Sequence, residues 1–235
     1  MKENTKKRVV WFVLCTILAV SCIPVRVSKS TSKHIILQPL SLELGSEIVL
    51  GENRPSEYIY QNWSYEYYTD SRDVFSCADG RRPFPWGGEK FEGIINFYVS
   101  SDSYIGKRSF QMEGKAINSH GAIAVPDLPY KPDVIPGQIY YLGCWVKYNI
   151  EKGYGVRLAQ QFFLPSDSFY PNYVCYGEWL TGKSNGWIYL GLLVQAPESS
   201  YKGDPVIELW GQGNVWVDEV YFGSVTIDKI PGGVT

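Results

Sequence analysis

The sequence predicts an all-β protein, a sandwich or barrel of antiparallel strands, and three observations predict it. Short runs rich in Val, Ile, Tyr, Phe and Trp recur between clusters of Gly, Pro, Asn, Asp and Ser. Within several runs, apolar residues alternate with polar or aromatic ones, the period of a strand covered on one face. No segment keeps a helical period over three turns. Composition agrees. Aromatic residues make up 15% of the 235, with 8 Trp and 18 Tyr, and 45% of the chain is hydrophobic. Rings suit a pleated surface, and exposed rings also suit stacking on a ligand.

The chain opens with a targeting pattern. Lys6-Lys7-Arg8 precedes an apolar run from Val9 to Val20, then Ser21-Cys22. A basic stretch, a short apolar stretch and a small-residue site make a signal peptide. The run falls short of the roughly 20 apolar residues of a comfortable membrane span. Extension through Ile23, Pro24 and Val25 leaves an uncleaved anchor open. Leu18-Ala19-Val20-Ser21-Cys22 resembles a bacterial lipoprotein signal, with Ala19 where Leu, Val or Ile is usual, and implies lipidation at Cys22. Residues 1–22 are therefore expected to be a signal peptide or anchor and 23–45 a tether. The domain spans 46–225, and 226–235, with Pro231-Gly232-Gly233, is a tail. Membrane contact is expected through the N-terminus only.

Strands are expected at Tyr58–Trp63, Gly93–Val99, Ser109–Glu113, Ala122–Val125, Ile139–Asn149, Gly155–Leu164, Trp187–Ala196, Val206–Trp210 and Val215–Phe222. Four of these can be phased. Leu142, Cys144 and Val146 oppose Tyr141, Trp145 and Lys147. Val156, Leu158 and Phe162 oppose Arg157, Ala159 and Gln161. Ile188, Leu190, Leu192 and Val194 oppose Tyr189 and Gln195, and Ile207 and Leu209 oppose Glu208 and Trp210. The second faces mix rings with hydrogen-bonding groups, which fits an ordinary solvated face or a binding platform, and the mixture on several strands points towards binding. The last strand breaks phase between Val217 and Val220. A β-bulge at Asp218-Glu219 would keep both halves facing the core, and it brings two adjacent carboxylates to irregular backbone where oxygens could converge on a hard cation.

The net charge is −2, and removing residues 1–21 makes the remainder more acidic. Without a Lys/Arg cluster, nucleic acid is excluded as a partner. Of the five cysteines, Cys15 and Cys22 belong to the leader; no pair has zinc-ligand spacing. Cys77 and Cys175 lie in loop-like surroundings and could pair, whereas Cys144 reads as a small core residue.

Four segments, in order, resemble the galactose-binding-like jelly rolls, in particular the carbohydrate-binding modules attached to xylanases and β-glucanases. These are Gly106–Phe110, the Pro136-Gly137 to Lys147 strand with Tyr140, Leu142 and Trp145, Gly186-Trp187-Ile188-Tyr189-Leu190, and Leu209 to Val220. The resemblance covers about residues 58–223 and implies a two-sheet antiparallel jelly-roll sandwich. It also implies a polysaccharide ligand and, as partner, a glycoside hydrolase or a cell-surface assembly. It further implies a structural Ca2+ ion with Asp218 as ligand; only Leu50-Gly51-Glu52-Asn53 stands near the family's usual second acid. A sugar ring can lie on Trp or Tyr while polar side chains orient its hydroxyls. The candidate binding residues are Trp145, Arg157, Gln161 and Trp210 on strand faces, with Trp86 in the Pro83–Gly88 loop and Trp179 after the Tyr170–Tyr173 stretch. Trp187 is expected in the core.

No catalytic residue is assigned, and the expectation is a non-enzyme. Glu178, Glu208 and Glu219 are candidate carboxylates for glycoside hydrolysis, but no pattern singles out a pair. His120 has no Gly-x-Ser-x-Gly elbow to serve, and Gly211-Gln212-Gly213 reads as a hairpin turn. The other function class is a surface adhesion or assembly protein that presents the same sandwich to a protein partner.

Overall fold

The computed structural model describes residues 35–40, 46–50, 65, 69–70, 81–83, 85–126, 128–165 and 170–229. The expected leader with Cys22, the strand at 58–63 and Cys77 lie outside the described residues. The described strands are β1 (Ile35–Leu37), β2 (Ser46–Leu50), β3 (Thr69–Asp70), β4 (Arg81–Arg82), β5 (Gly87–Glu92), β6 (Ile95–Ser100), β7 (Ser109–Gly114), β8 (His120–Ala124), β9 (Ile139–Phe163), β10 (Tyr173–Tyr176), β11 (Ile188–Gln195) and β12 (Lys202–Lys229). A single 3-10 turn, Leu128–Tyr130, is the one helical element among the described residues. β1 falls inside the segment expected to be tether, and β12 runs past residue 225 to Lys229.

β9 and β12 organise the molecule. The sequence pattern divides each into two strands; in the structure each is continuous, 25 and 28 residues long, and they pair antiparallel along most of their length. The join is a corner built on glycine. The ladder slips at Trp210/Gly211 and Gln212/Gly213, opposite Gly153 and Gly155. Gly153 has φ +112° and Gly211 +141°, and a Cβ on Gly211 would stand 2.2 Å from the Lys152 carbonyl oxygen. Only glycine lets the two backbones pass this closely.

The corner folds the strands into two layers. The first half of β9 and the second half of β12 carry β11 on one side and β7 with β6 on the other. The second half of β9 and the first half of β12 carry β10 and β1 on one side and β8 with β5 on the other. β1 joins β10 in parallel; the other pairings are antiparallel. This is a two-layer jelly roll. β2 extends the pairing at the end of β12, and β3 with β4 makes a separate small ribbon.

The phased faces meet as expected. Leu142, Cys144, Val146, Leu192, Val194, Val215 and Val217 from the first layer pack with Val156, Leu158, Phe162, Ile207 and Leu209 from the second. Each such side chain contributes about 1.5–3 kcal/mol when fully buried. Trp86 belongs to this core, contrary to its expected exposure. It is 2% exposed and meets Tyr65 edge-on at 5.7 Å. The Pro-containing segment does turn, since the Trp86 N–H bonds to the Pro83 carbonyl, but the turn delivers the ring inward. Cys175 is a free, buried thiol and no disulfide partner of Cys77; burial pushes it up to about 12. Cys144 is free and buried too.

The bulge is where the sequence pattern puts it. The β9–β12 register shifts between Asp218 and Tyr221, and Glu219 has φ +48°. Val217, Val220 and Phe222 are consequently all buried.

Candidate functional site

The outer face of the second layer gathers most of the candidate residues. Arg157 and Gln161 alternate with core residues of β9, and Glu208 and Trp210 do so on β12. Register sets Glu208 beside Arg157 and His120 beside Trp210. Between them lie small side chains, Ala122, Ala159, Val174 and Val206, which form a thin second apolar layer under Tyr176.

Arg157 is held on three sides. Its Nε donates to Glu208 Oε2 at 2.6 Å, and its guanidinium carbon lies 3.6 Å from the centroid of Tyr176 and 4.2 Å from that of Trp179. Glu208 is 5% exposed, so this pair is well removed from water. Such a pair contributes little net stability, but it fixes the direction of every donor and acceptor in it.

A ring wall adjoins the pair. Trp210 stacks on His120 at 4.5 Å with 10° between planes, and Phe91 meets His120 edge-on at 4.8 Å. Tyr154 lies 4.8 Å from Trp210, and Trp179 6.4 Å from it. Tyr154 is 58% exposed, at the corner between Gly153 and Gly155. Burial is the largest influence on His120 and lowers its pKa, which favours the neutral ring. Chemically, this face offers apolar ring surfaces next to an oriented, charge-balanced donor–acceptor pair.

Beyond Gln161 a buried ion pair pins the crossing segment. Lys131 Nζ donates to Asp204 and to the Val125 carbonyl, Asp204 Oδ1 accepts the Val125 N–H at 3.0 Å, and Lys131 stands 5.0 Å over Phe163. Burial, the larger influence, raises the Asp204 pKa against the pull of Lys131.

Trp145 does not join this group. It lies on the outer face of the first layer, stacked on Tyr104 at 3.9 Å and 15°, with Tyr189 edge-on at 5.3 Å. Trp187, expected in the core, is half-buried on that same face, 6.3 Å from Tyr104. The reason is phase: Ile188 points inward, so its neighbour points out.

Asp218 is fully buried, and its carboxylate is already engaged. Oδ2 accepts the N–H groups of Tyr104 and Ile105 at 2.8 and 3.0 Å, and Oδ1 accepts that of Glu219 at 2.8 Å. Donors aimed at both oxygens are the wrong company for a cation, and the described residues hold no group of three metal-ligating side chains. The residues present therefore do not fit a calcium ion at Asp218; Glu52 lies outside the described residues. The visible role of Asp218 is to fasten the 101–107 loop. Of the carboxylates considered for hydrolysis, Glu208 is committed to Arg157, Glu178 is exposed beside Trp179, and Glu219 lies on the bulge of the other layer.

Tyr154, Tyr176, Phe91 and His120 were not among the binding candidates read from sequence. A Gly-Tyr-Gly at a corner was a usable signal for Tyr154. The pairing of His120 with Trp210 depends on strand register, which the sequence does not display.

No family model matches the chain, and no curated protein matches it. Among solved structures it is similar to a family 16 carbohydrate-binding module, at 15% identity and TM-score 0.43, over 73% of this chain and 99% of that one. It is similar to the CBM22-1 xylan-binding domain from Paenibacillus barcinonensis Xyn10C, at 13% identity and TM-score 0.43, over 69% and 92%. It also resembles part of the enzymatically active domain of bacteriophage CBA120 tailspike protein 4, at 12% identity and TM-score 0.43. That match covers 60% of this chain but spans only 19% of the tailspike chain.

Proposed function

We propose that this chain is an exported, non-catalytic carbohydrate-binding module that holds a polysaccharide on the outer face of its second layer. One observation carries the reading: Trp210, Trp179 and Tyr154 stand together beside an Arg157–Glu208 pair fixed by rings on either side. Rings supply surface for the apolar faces of pyranoses, and the pair supplies oriented hydrogen bonds for hydroxyls. Because the pair is internally neutralised, the face suits an uncharged glycan. Gln161, on the same strand face as Arg157, extends the polar side of the site. The leader, with lipidation at Cys22 or an uncleaved anchor, would hold the module at the cell surface, near a glycoside hydrolase or a surface assembly.

The test is retention of the protein on a panel of soluble and insoluble polysaccharides, with and without a calcium chelator. Retention on one glycan class that is lost in Trp179→Ala/Trp210→Ala supports the proposal. A folded protein that no glycan retains refutes it and favours a protein-binding role.

A further inference from the structure

We infer that His120 is a positioning residue for the ring wall: its uncharged ring backs Trp210, and on taking up a proton it lets go of Trp210 and so of the glycan. This control by pH rests on the reading of the same face as the glycan site.

Across the sheet, Trp210 is backed from one side. Its partners in the two ladders are Gly155 on β9, which has no side chain, and His120 on β8. Tyr154 and Trp179 reach it at 54° and 73° between planes, whereas His120 lies parallel to it at 10°, 4.5 Å away. The backbone next to His120 is locked. Ser119 is fully buried; its carbonyl accepts the Gly211 N–H at 2.8 Å, and its hydroxyl donates to the Ile94 carbonyl at 2.6 Å. A change at His120 is therefore taken up by the ring and not by the strand.

The surroundings of the ring fit its uncharged form. Nε2 is buried and has no hydrogen-bond partner. A neutral imidazole can carry its hydrogen on Nδ1 and leave Nε2 a bare lone pair, so that no donor is stranded. An imidazolium carries N–H groups on both nitrogens, and a charged donor buried without an acceptor is costly. The charged groups around it do not supply that acceptor in place. On β12, Glu208 is committed to Arg157 of β9 at 2.6 Å. On β5, Glu89 and Lys90 stand opposite Ala122 and Gly121, and the bulge between Lys90 and Glu92 sets Glu92 opposite His120, with Phe91 beside it. Phe91 meets the ring edge-on, and Glu92 is exposed. A protonated ring finds its acceptors in Glu92 and water, on the β5 side of β8, away from Trp210. Turning towards them breaks the stack.

Burial, the largest influence, lowers the His120 pKa, Glu208 raises it, Arg157 lowers it and Glu92 raises it. The stack is thus complete above the ordinary value of 6.5 and is lost as pH falls below it. By linkage, a bound glycan must lower the His120 pKa further.

The experiment uses the full chain as wild type, His120→Phe, His120→Ala and Trp210→Phe, with thermal melting at each pH as the folding control. His120→Phe keeps a flat ring that takes up no proton. The chain has two histidines, His34 and His120, so proton NMR follows both titrations and the variants assign them. Retention on insoluble xylan and on microcrystalline cellulose is measured from about pH 8 down through the His120 titration. Wild-type retention is expected to fall across it, approaching about tenfold per pH unit, the slope of one proton. His120→Phe should lack that slope, and His120→Ala should bind about three- to tenfold more weakly than His120→Phe, the loss of one stacked ring. Should His120→Phe not fold, His120→Gln, which also takes up no proton, replaces it. Retention that stays level while His120 titrates overturns the inference and leaves the module reading standing. The same holds if His120→Phe keeps the wild-type slope, or if His120→Ala binds as well as His120→Phe. If no glycan is retained at any pH, the module reading falls and tryptophan fluorescence decides the coupling of His120 to Trp210. A signal that follows the His120 titration and is absent from His120→Phe and Trp210→Phe upholds that coupling; a level signal overturns it.

Discussion

Replacing Arg157 by Ala removes the one cation from a well-buried pair and leaves Glu208 behind. Glu208 is 5% exposed, with small side chains around it, and Arg157 is its ion-pair partner among the described residues. Stranding a buried charge in this way costs about 3–5 kcal/mol. Loss of the cation–π contacts with Tyr176 and Trp179, at 3.6 and 4.2 Å, adds about 1–2 kcal/mol. Glu208→Ala should cost less, because the guanidinium left behind keeps both rings. Arg157→Ala/Glu208→Ala should be more stable than Arg157→Ala alone, which additive effects would not allow. Urea unfolding followed by tryptophan fluorescence measures all four proteins, and a shared m-value confirms that the midpoints report stability. Additive single effects, each under about 1 kcal/mol, would show that water screens the pair. The Arg157–Glu208 pair would then not hold this face in a fixed orientation.

Four further outcomes follow from the same geometry. Trp210→Ala should weaken glycan binding at a stability cost below about 2 kcal/mol, whereas Trp86→Ala should cost about 3–5 kcal/mol, as calorimetry will show. Burial lowers the pKa of His120, so the unfolded chain takes up the proton first; this contribution to stability is complete above the ordinary value of 6.5 and is lost as pH falls below it, and His120→Gln should flatten that slope. Burial raises Asp218 to about 6 from 3.8, the opposite case for an acid, so stability from this group increases as pH drops from about 6 towards 3.8; Asp218→Asn should remove that dependence and cost about 1–3 kcal/mol through its stranded N–H donors. The Cys144 and Cys175 thiols, both raised by burial, should resist a thiol reagent until denaturant is added; fast labelling of the native protein would mean that the core opens.

Most of the fold was legible because strands announce themselves by alternation. The inward sets of β9, β11 and β12 and the bulge at Asp218 could be read directly, since a period of two assigns every side chain to a face. The corner was not legible as a corner. Gly155 reads as a strand start and Gly211-Gln212-Gly213 as a hairpin turn, because glycine marks a turn and a bent strand with the same letter. Site residues divided similarly. Arg157, Gln161 and Trp210 could be placed on outward faces from phase alone, but phase does not say which outward face. Trp145 shows the same alternation and belongs to the other layer. Trp86 has no strand phase to place it, and the turn expected to expose it points its ring into the core.

The pairing of β12 has a consequence for how the chain is made. The last described strand contacts β2, β7, β8 and β9, so both layers share a member that is synthesised after all the others. The second layer cannot close until about residue 210 has left the ribosome, nor the first until about residue 224, and the earlier strands wait with open edges and exposed apolar faces. Folding dominated by such distant pairings is slow. Truncation ahead of β12 would therefore remove a shared member from both layers at once and leave no smaller domain behind.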